Sequence, residues 1–115
     1  MITRIIVSLQ FEALHCWPSC PYDDVAFLRS PHRHLFHVVA KKAVKHDDRD
    51  IEIIRFKREI QRYLAGRIDP SGNLGALSCE MLAKELLTAF ACDFVSVLED
   101  NENGAEVLIE GGLCG

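Results

Sequence analysis

The sequence predicts an α+β domain: an antiparallel four-stranded sheet, in the order strand, strand, helix, helix, strand, strand, with both helices on one face. Three observations carry that expectation. Apolar residues alternate with period two near the start of the chain and again from about residue 32. They recur at helical spacing in two segments between residues 53 and 90. Two short runs then follow, joined through Asn103-Gly104, a hairpin signal.

Taken in order, residues 2 to 15 form the first strand, with Ile5, Val7, Leu9, Phe11, Ala13 and His15 on one face and Ser8, Gln10 and Glu12 on the other. "CWPSCPYDD" contains Pro18 and Pro21, which a strand interior does not accept, and reads as a loop. The second strand carries His32, His34, Phe36, Val38 and Ala40 on one face, and Arg33, Leu35, His37, Val39 and Lys41 on the other. It pairs with the first as a long antiparallel couple. "KHDDRD" ends it and supplies acidic residues to the start of a helix, where free N–H groups and the positive dipole end favour them. Ile53, Phe56, Ile60 and Leu64 are the buried stripe of that helix, and Gly66 is its stop. "IDPSGNLGA" is a loop by its Pro and Gly content. Ser78 is the expected N-cap of the second helix, whose stripe is Leu82, Leu86, Ala89 and Phe90. The closing pair of strands falls in "FVSVLEDNENGAEVLIEGG".

Length and composition fit one domain over residues 1–115. A hydrophobic content of 49% and a charged content of 26% describe a globular rather than a disordered chain. The net charge of −4, with no basic block, argues against a nucleic-acid partner. No apolar run approaches the roughly 20 residues of a membrane helix, and "MITRIIVSLQF" lacks the marks of a signal peptide. The cysteines, Cys16, Cys20, Cys79, Cys92 and Cys114, are odd in number and read as reduced thiols, which points to the cytoplasm.

"SPHRHLFHV" holds the chemistry. Two apart on a strand, His32 and His34 share a face with Cα atoms roughly 6.6 Å apart, close enough to converge on one ion. His15, ending the neighbouring strand on its apolar face, is the natural third ligand. Three histidines with one position left open suit a zinc ion that polarises a substrate or activates water. The competing reading is a set of half-buried histidines bonded to backbone carbonyls. His-x-His alone does not separate the two.

Several motifs in series resemble one family. "FEALHCWPSCP" resembles the "FEAAHRLP" opening of the 6-pyruvoyl-tetrahydropterin synthase and 6-carboxytetrahydropterin synthase (QueD) family, and "PHRHLFHV" its "HGHxFxV" segment. "RDIEIIRFK" is similar to "GxxIDFxxLK", "SCEMLAKEL" to "TSExLAxxI", and "VSVLEDNENGAEV" to "VxVxETxxxGAxY". The resemblance implies the T-fold, with the element order already read from periodicity. It further implies that His15, His32 and His34 bind zinc, that Glu99 anchors a pterin-like ring through paired N–H groups, and that several subunits close into a homo-oligomer with sites at their interfaces. Glu80 matches the glutamate of "TSExLA" and reads as a first-turn acid favouring the helix dipole.

Two departures bear on the chemistry. The family carries a cysteine shortly before "HGH", and "AFLRS" has none; it carries an Asp-His pair in "LDHxxLN", where this chain keeps Asp69 but has Pro70 in the histidine's place. Cys20 is the first candidate to replace the missing nucleophile or base, with Cys16, His37 and His46 behind it, although His37 has the wrong strand parity to face the metal. Asp69 and Cys20 are therefore the expected catalytic residues of a zinc-dependent lyase with altered acid/base groups. The alternative is a non-catalytic T-fold that binds a heterocycle or metal, or serves as an assembly unit.

Overall fold

The structure, a computed structural model, describes residues 1–109. Cys114 lies outside the described residues. Strands β1 (Arg4–His15), β2 (His32–Ala43), β3 (Phe94–Glu99) and β4 (Asn103–Leu108) form one sheet in that spatial order, every neighbouring pair antiparallel. Helices α1 (Ile53–Arg67) and α2 (Cys79–Phe90) connect β2 to β3, and a short 3-10 segment (Asp23–Arg29) lies between β1 and β2. The chain is thus an α+β protein in the expected order of strands and helices.

Strand parity decides which face is covered. Val7, Leu9 and Ala13 of β1, Phe36, Val38 and Ala40 of β2, and Val95 and Val97 of β3 are buried on one face. Against them pack Phe56, Ile60 and Leu64 of α1 and Leu82, Ala83 and Leu86 of α2, with α1 over β1 and α2 over β3 and β4. Burying a leucine such as Leu82 or Leu86, each 1% exposed, contributes about 1.5–3 kcal/mol. Among the described residues the opposite face bears no helix and leaves Ile6 and Leu108 largely exposed.

Several local expectations are corrected. The first strand begins at Arg4 rather than residue 2. The cap of α1 is Glu52, whose carboxylate accepts from the N–H groups of Ile54 and Arg55 at 3.0 Å; the acids of "KHDDRD" belong to the preceding turn, where Asp50 accepts from Lys45 N. Ile53, at the first position of α1, is exposed and does not join the buried stripe of Phe56, Ile60 and Leu64. Gly66 does not stop the helix, which runs on to Arg67. In α2 Ser78 caps as expected, accepting from Met81 N at 3.1 Å, but Cys79 and Ala83 join the buried stripe and Ala89 leaves it. At 100° per residue the stripe centres between Leu86 and Phe90, and Ala89 falls about 80° from its middle.

The closing hairpin also differs. Asp100 and Asn101, both at positive φ (54° and 57°), make the turn, and Glu102 N donates to Glu99 O at 2.9 Å. Asp and Asn tolerate this left-handed conformation because their short polar side chains bond locally. Asn103-Gly104 instead begins β4, and Gly104 is needed there because a Cβ would collide with the Val97 carbonyl oxygen.

Two carboxylates that organise loops make stability acid-sensitive. Bonds from the Ile54 and Arg55 N–H groups hold Glu52 below its ordinary 4.5, and the Ser71 hydroxyl, with the Asn73 N–H, holds Asp69 below 3.8. A depressed folded-state pKa contributes stability that is present above the ordinary value and is lost as pH falls through the folded value. The thermal midpoint is therefore expected to drop as pH falls from about 4.5 toward 3. Melts of wild type and Glu52→Gln check this: the variant starts lower and falls less over that interval.

Candidate metal centre

The antiparallel register does most of the assembly. His15 of β1 stands opposite His32 of β2, and Ala13 opposite His34, so all three imidazoles share the helix-covered face at one end of the sheet. Their ring centroids are 4.5 Å (His15 to His32), 5.3 Å (His15 to His34) and 5.1 Å (His32 to His34) apart. Phe36 forms the floor, with ring centroids 5.2 Å from His15 and 5.8 Å from His34. The small Ala13 side chain, two residues before His15, leaves room for the inward-facing His34.

Each imidazole uses one nitrogen for support. His15 Nδ1 donates to Leu77 O at 2.9 Å, His32 Nδ1 to Ser30 O at 2.9 Å, and His34 Nδ1 to Asp100 Oδ2 at 2.7 Å. Carbonyl and carboxylate oxygens accept only, so every Nδ1 must carry the hydrogen. In the neutral rings Nε2 is then a bare lone pair. These three Nε2 atoms are buried and, among the described residues, lack hydrogen-bond partners, and the three histidines offer ligand atoms within 4.8 Å of one another. Three orphaned acceptors facing one point are costly unless a cation binds there. The donor set, three imidazoles oriented through outer-shell acceptors, suits a divalent metal and leaves room for a further ligand.

The supporting oxygens come from three separate segments. Leu77 is delivered by the loop after α1, which lies along the edge of β1: Leu14 N donates to Gly72 O at 2.9 Å and Leu74 N to Leu14 O at 2.8 Å. Asp69 builds that loop, its Oδ1 accepting from the Ser71 and Asn73 N–H groups (2.9 Å each) and the Ser71 hydroxyl (2.6 Å). Asp100 comes from the β3–β4 turn. Besides His34 it accepts from Leu35 N at 3.0 Å, and the Leu35 N–H, with the His34 ring after it, holds its carboxyl below the ordinary value.

Glu99 joins the cluster from β3, opposite Phe36. Its Oε2 lies 2.9 Å from His15 Nε2 and its Oε1 3.6 Å from His34 Nε2, without the alignment a hydrogen bond needs. The carboxylate also lies beside the Cys79 thiol, which burial, with the Glu99 charge and hydrogen bond next, pushes up to about 12. Cys79 is therefore a protonated donor at neutral pH rather than a nucleophile.

A cavity of about 450 Å³ opens beside His15 and His32, with Trp17, Leu28, Cys16, Cys79, Glu80 and Glu99 among its other walls. The expected catalytic residues stand elsewhere. Cys20 is buried, its Sγ 3.8 Å from Tyr22 O and its carbonyl accepting from Arg29 Nε at 2.9 Å, and it is not among the residues lining the cavity. Asp69 is engaged in its loop. Among the described cysteines it is Cys16 and Cys79 that reach the cavity. Asp100 and Cys79 were not legible as site residues: Asp100 meets His34 across 66 positions of sequence, and Cys79 meets Glu99 through the packing of α2 on β3.

Fold and site together define an α+β protein with a three-histidine candidate metal centre at one end of its sheet. The chain matches no protein-family model and no curated protein. No helix among the described residues is long and apolar enough to cross a membrane.

Proposed function

We propose that the chain is a zinc-binding T-fold protein of the 6-pyruvoyl/6-carboxytetrahydropterin synthase (QueD) type that binds or acts on a pterin-like small molecule. The observation that carries this reading is the convergence of the His15, His32 and His34 Nε2 atoms, each ring held by a hydrogen bond at Nδ1. The five motifs in series add the family, and a cavity beside Glu99 adds room for a ring. When bound, zinc supplies a Lewis acid that polarises a substrate carbonyl or hydroxyl. Glu99 accepts paired N–H groups of the heterocycle, as a carboxylate accepts a guanidinium. Cys79, kept protonated beside it, adds no competing negative charge.

In this reading the protein is a lyase with altered acid/base residues, cytoplasmic, and free of nucleic-acid and membrane partners. A second reading, a non-catalytic T-fold that binds a heterocycle or metal or serves in assembly, is favoured by one specific observation. Asp69 is engaged by Ser71 and Asn73, and Cys20 is buried outside the cavity, so neither stands at the metal as the general base an enzyme needs. Product analysis after incubating the zinc-loaded protein with sepiapterin and with dihydroneopterin triphosphate separates the two.

Binding itself is tested by calorimetry. Sepiapterin is expected to bind the zinc-loaded protein, and Glu99→Ala to weaken it by about tenfold or more, the cost of losing a charge-assisted pair of hydrogen bonds. Unchanged affinity in the variant would remove Glu99 from the pocket.

The assembly expected of a T-fold is supported by the sheet. Among the described residues, β4 and the part of β1 before Leu14 leave outer edges, and the face without helices exposes Ile6 and Leu108. Light scattering at micromolar concentration is expected to give a homo-oligomer; a monomer would contradict it.

A further inference from the structure

Glu99 turns both of its oxygens toward nitrogens of the histidine cluster. Its Oε2 stands 2.9 Å from His15 Nε2 and its Oε1 3.6 Å from His34 Nε2. Both nitrogens are bare lone pairs in the neutral rings, because each Nδ1 donates its hydrogen to an oxygen that only accepts. Carboxylate oxygens and lone pairs repel at such distances unless something positive lies between them. A proton on His15 would serve the shorter contact alone, whereas a divalent cation serves the carboxylate and all three Nε2 atoms at once. Zinc binds imidazole nitrogen at about 2.0–2.1 Å and carboxylate oxygen at about 2.0–2.2 Å, which sets neighbouring ligands of a tetrahedral ion about 3.3–3.5 Å apart. The two observed separations fall on either side of that value.

The backbone around Glu99 is well tied. Glu99 ends β3, opposite Phe36 of β2 and Asn103 of β4. Asp100, the next residue, donates its N–H to Leu35 O at 2.7 Å and accepts from Leu35 N at 3.0 Å. Two consecutive acids therefore address His34 from its two sides, Asp100 holding Nδ1 and Glu99 facing Nε2. Glu99 also lines the cavity with His15 and His32, so a molecule entering there meets the carboxylate beside the ligand rings.

We infer that Glu99 is a fourth, displaceable ligand of the metal held by His15, His32 and His34: it closes the coordination shell while the cavity is empty and leaves it when a heterocycle offers paired N–H groups. The ligation rests on the histidine centre alone, and the exchange rests on the pterin reading above. In the exchange one metal–oxygen bond gives way to N–H···O bonds, and the vacated position passes to water or to the bound molecule.

The test first measures metal binding with no heterocycle present. Zinc affinity is read by competition with a chelator, Co(II) in place of zinc reports the ligand set through its visible absorption bands, and circular dichroism shows that each variant is folded. Glu99→Gln removes the charge at constant shape; Glu99→Asp keeps the charge nearby but draws the oxygens back by one methylene. Both are expected to weaken zinc binding by at least the roughly 10–100-fold that losing an outer-shell acceptor costs, and to shift the Co(II) bands. If Glu99→Asp matches wild type while Glu99→Gln falls, Glu99 is only a neighbouring charge; if neither variant changes affinity or bands, it does not touch the metal. Either result overturns the inference and leaves the three-histidine centre standing. Wild-type protein that holds no metal overturns both.

Sepiapterin added to the Co(II)-loaded wild type is then expected to move the bands toward those of Glu99→Gln. Unmoved bands with binding seen by calorimetry overturn the exchange. Absence of sepiapterin binding overturns the pterin reading and the exchange with it, while weakened metal binding in both variants still upholds Glu99 as a ligand.

Discussion

Purified protein supplied with zinc is expected to hold one ion per chain after desalting, and His34→Ala or His32→Ala to hold almost none. Removing one of three imidazoles leaves two neutral ligands, too few for the ion to be retained against water. Asp100→Ala should keep the ligands but free the His34 ring, lowering zinc affinity about 10–100-fold, the usual cost of losing an outer-shell acceptor. Metal analysis reads the first effect and competition with a chelator reads the second, with circular dichroism showing that each variant is folded. A folded wild-type protein that retains no zinc would refute the centre.

Phe36→Ala is expected to destabilise the protein by about 3–5 kcal/mol, the range for emptying a buried aromatic position. Phe36 is 1% exposed, stacks on Phe11 at 5.1 Å between centroids, and underlies both His15 and His34. Its loss opens a void directly beneath two ligands, so zinc affinity should fall along with stability. Urea unfolding of the metal-free protein isolates the packing cost, and the same titration with zinc shows the coupling. Phe36→Leu, which refills much of the volume, should recover most of both effects. Loss of stability in Phe36→Ala with unchanged zinc affinity would show that the floor does not position the ligands.

Much of the architecture was legible because local physics dictated it. Alternation in β1 and β2 sorted Val7, Leu9, Phe36 and Val38 onto one face, and the same parity carried His15, His32 and His34 with them. Ser78 was readable as a cap since its hydroxyl needs only the N–H three residues on. The misreadings occurred where two local rules competed. Asn-Gly is a strong turn pair, yet Asp100-Asn101 can adopt the same positive φ, and the close approach to Val97 reserves Gly104 for β4. Acids before a helix are good caps, yet Glu52 lies nearer the free N–H groups than "DDRD" does.

What the sequence by itself determined was the set of possible ligands and their common face, since strand parity and pair register follow from the alternation of residues a few positions apart. What only the tertiary structure decided was how those ligands are held and what surrounds them. The acceptors that orient the three imidazoles, Leu77 O, Ser30 O and the Asp100 carboxylate, come from three loops, and two of them lie more than 60 residues from their histidine. The same holds for the roles of Asp69, Cys20 and Cys79: a loop organiser, a buried thiol away from the cavity, and a protonated thiol beside Glu99. Residue type sets what each side chain can do, but burial and partners select among those abilities, and both arise only when distant segments pack against one sheet.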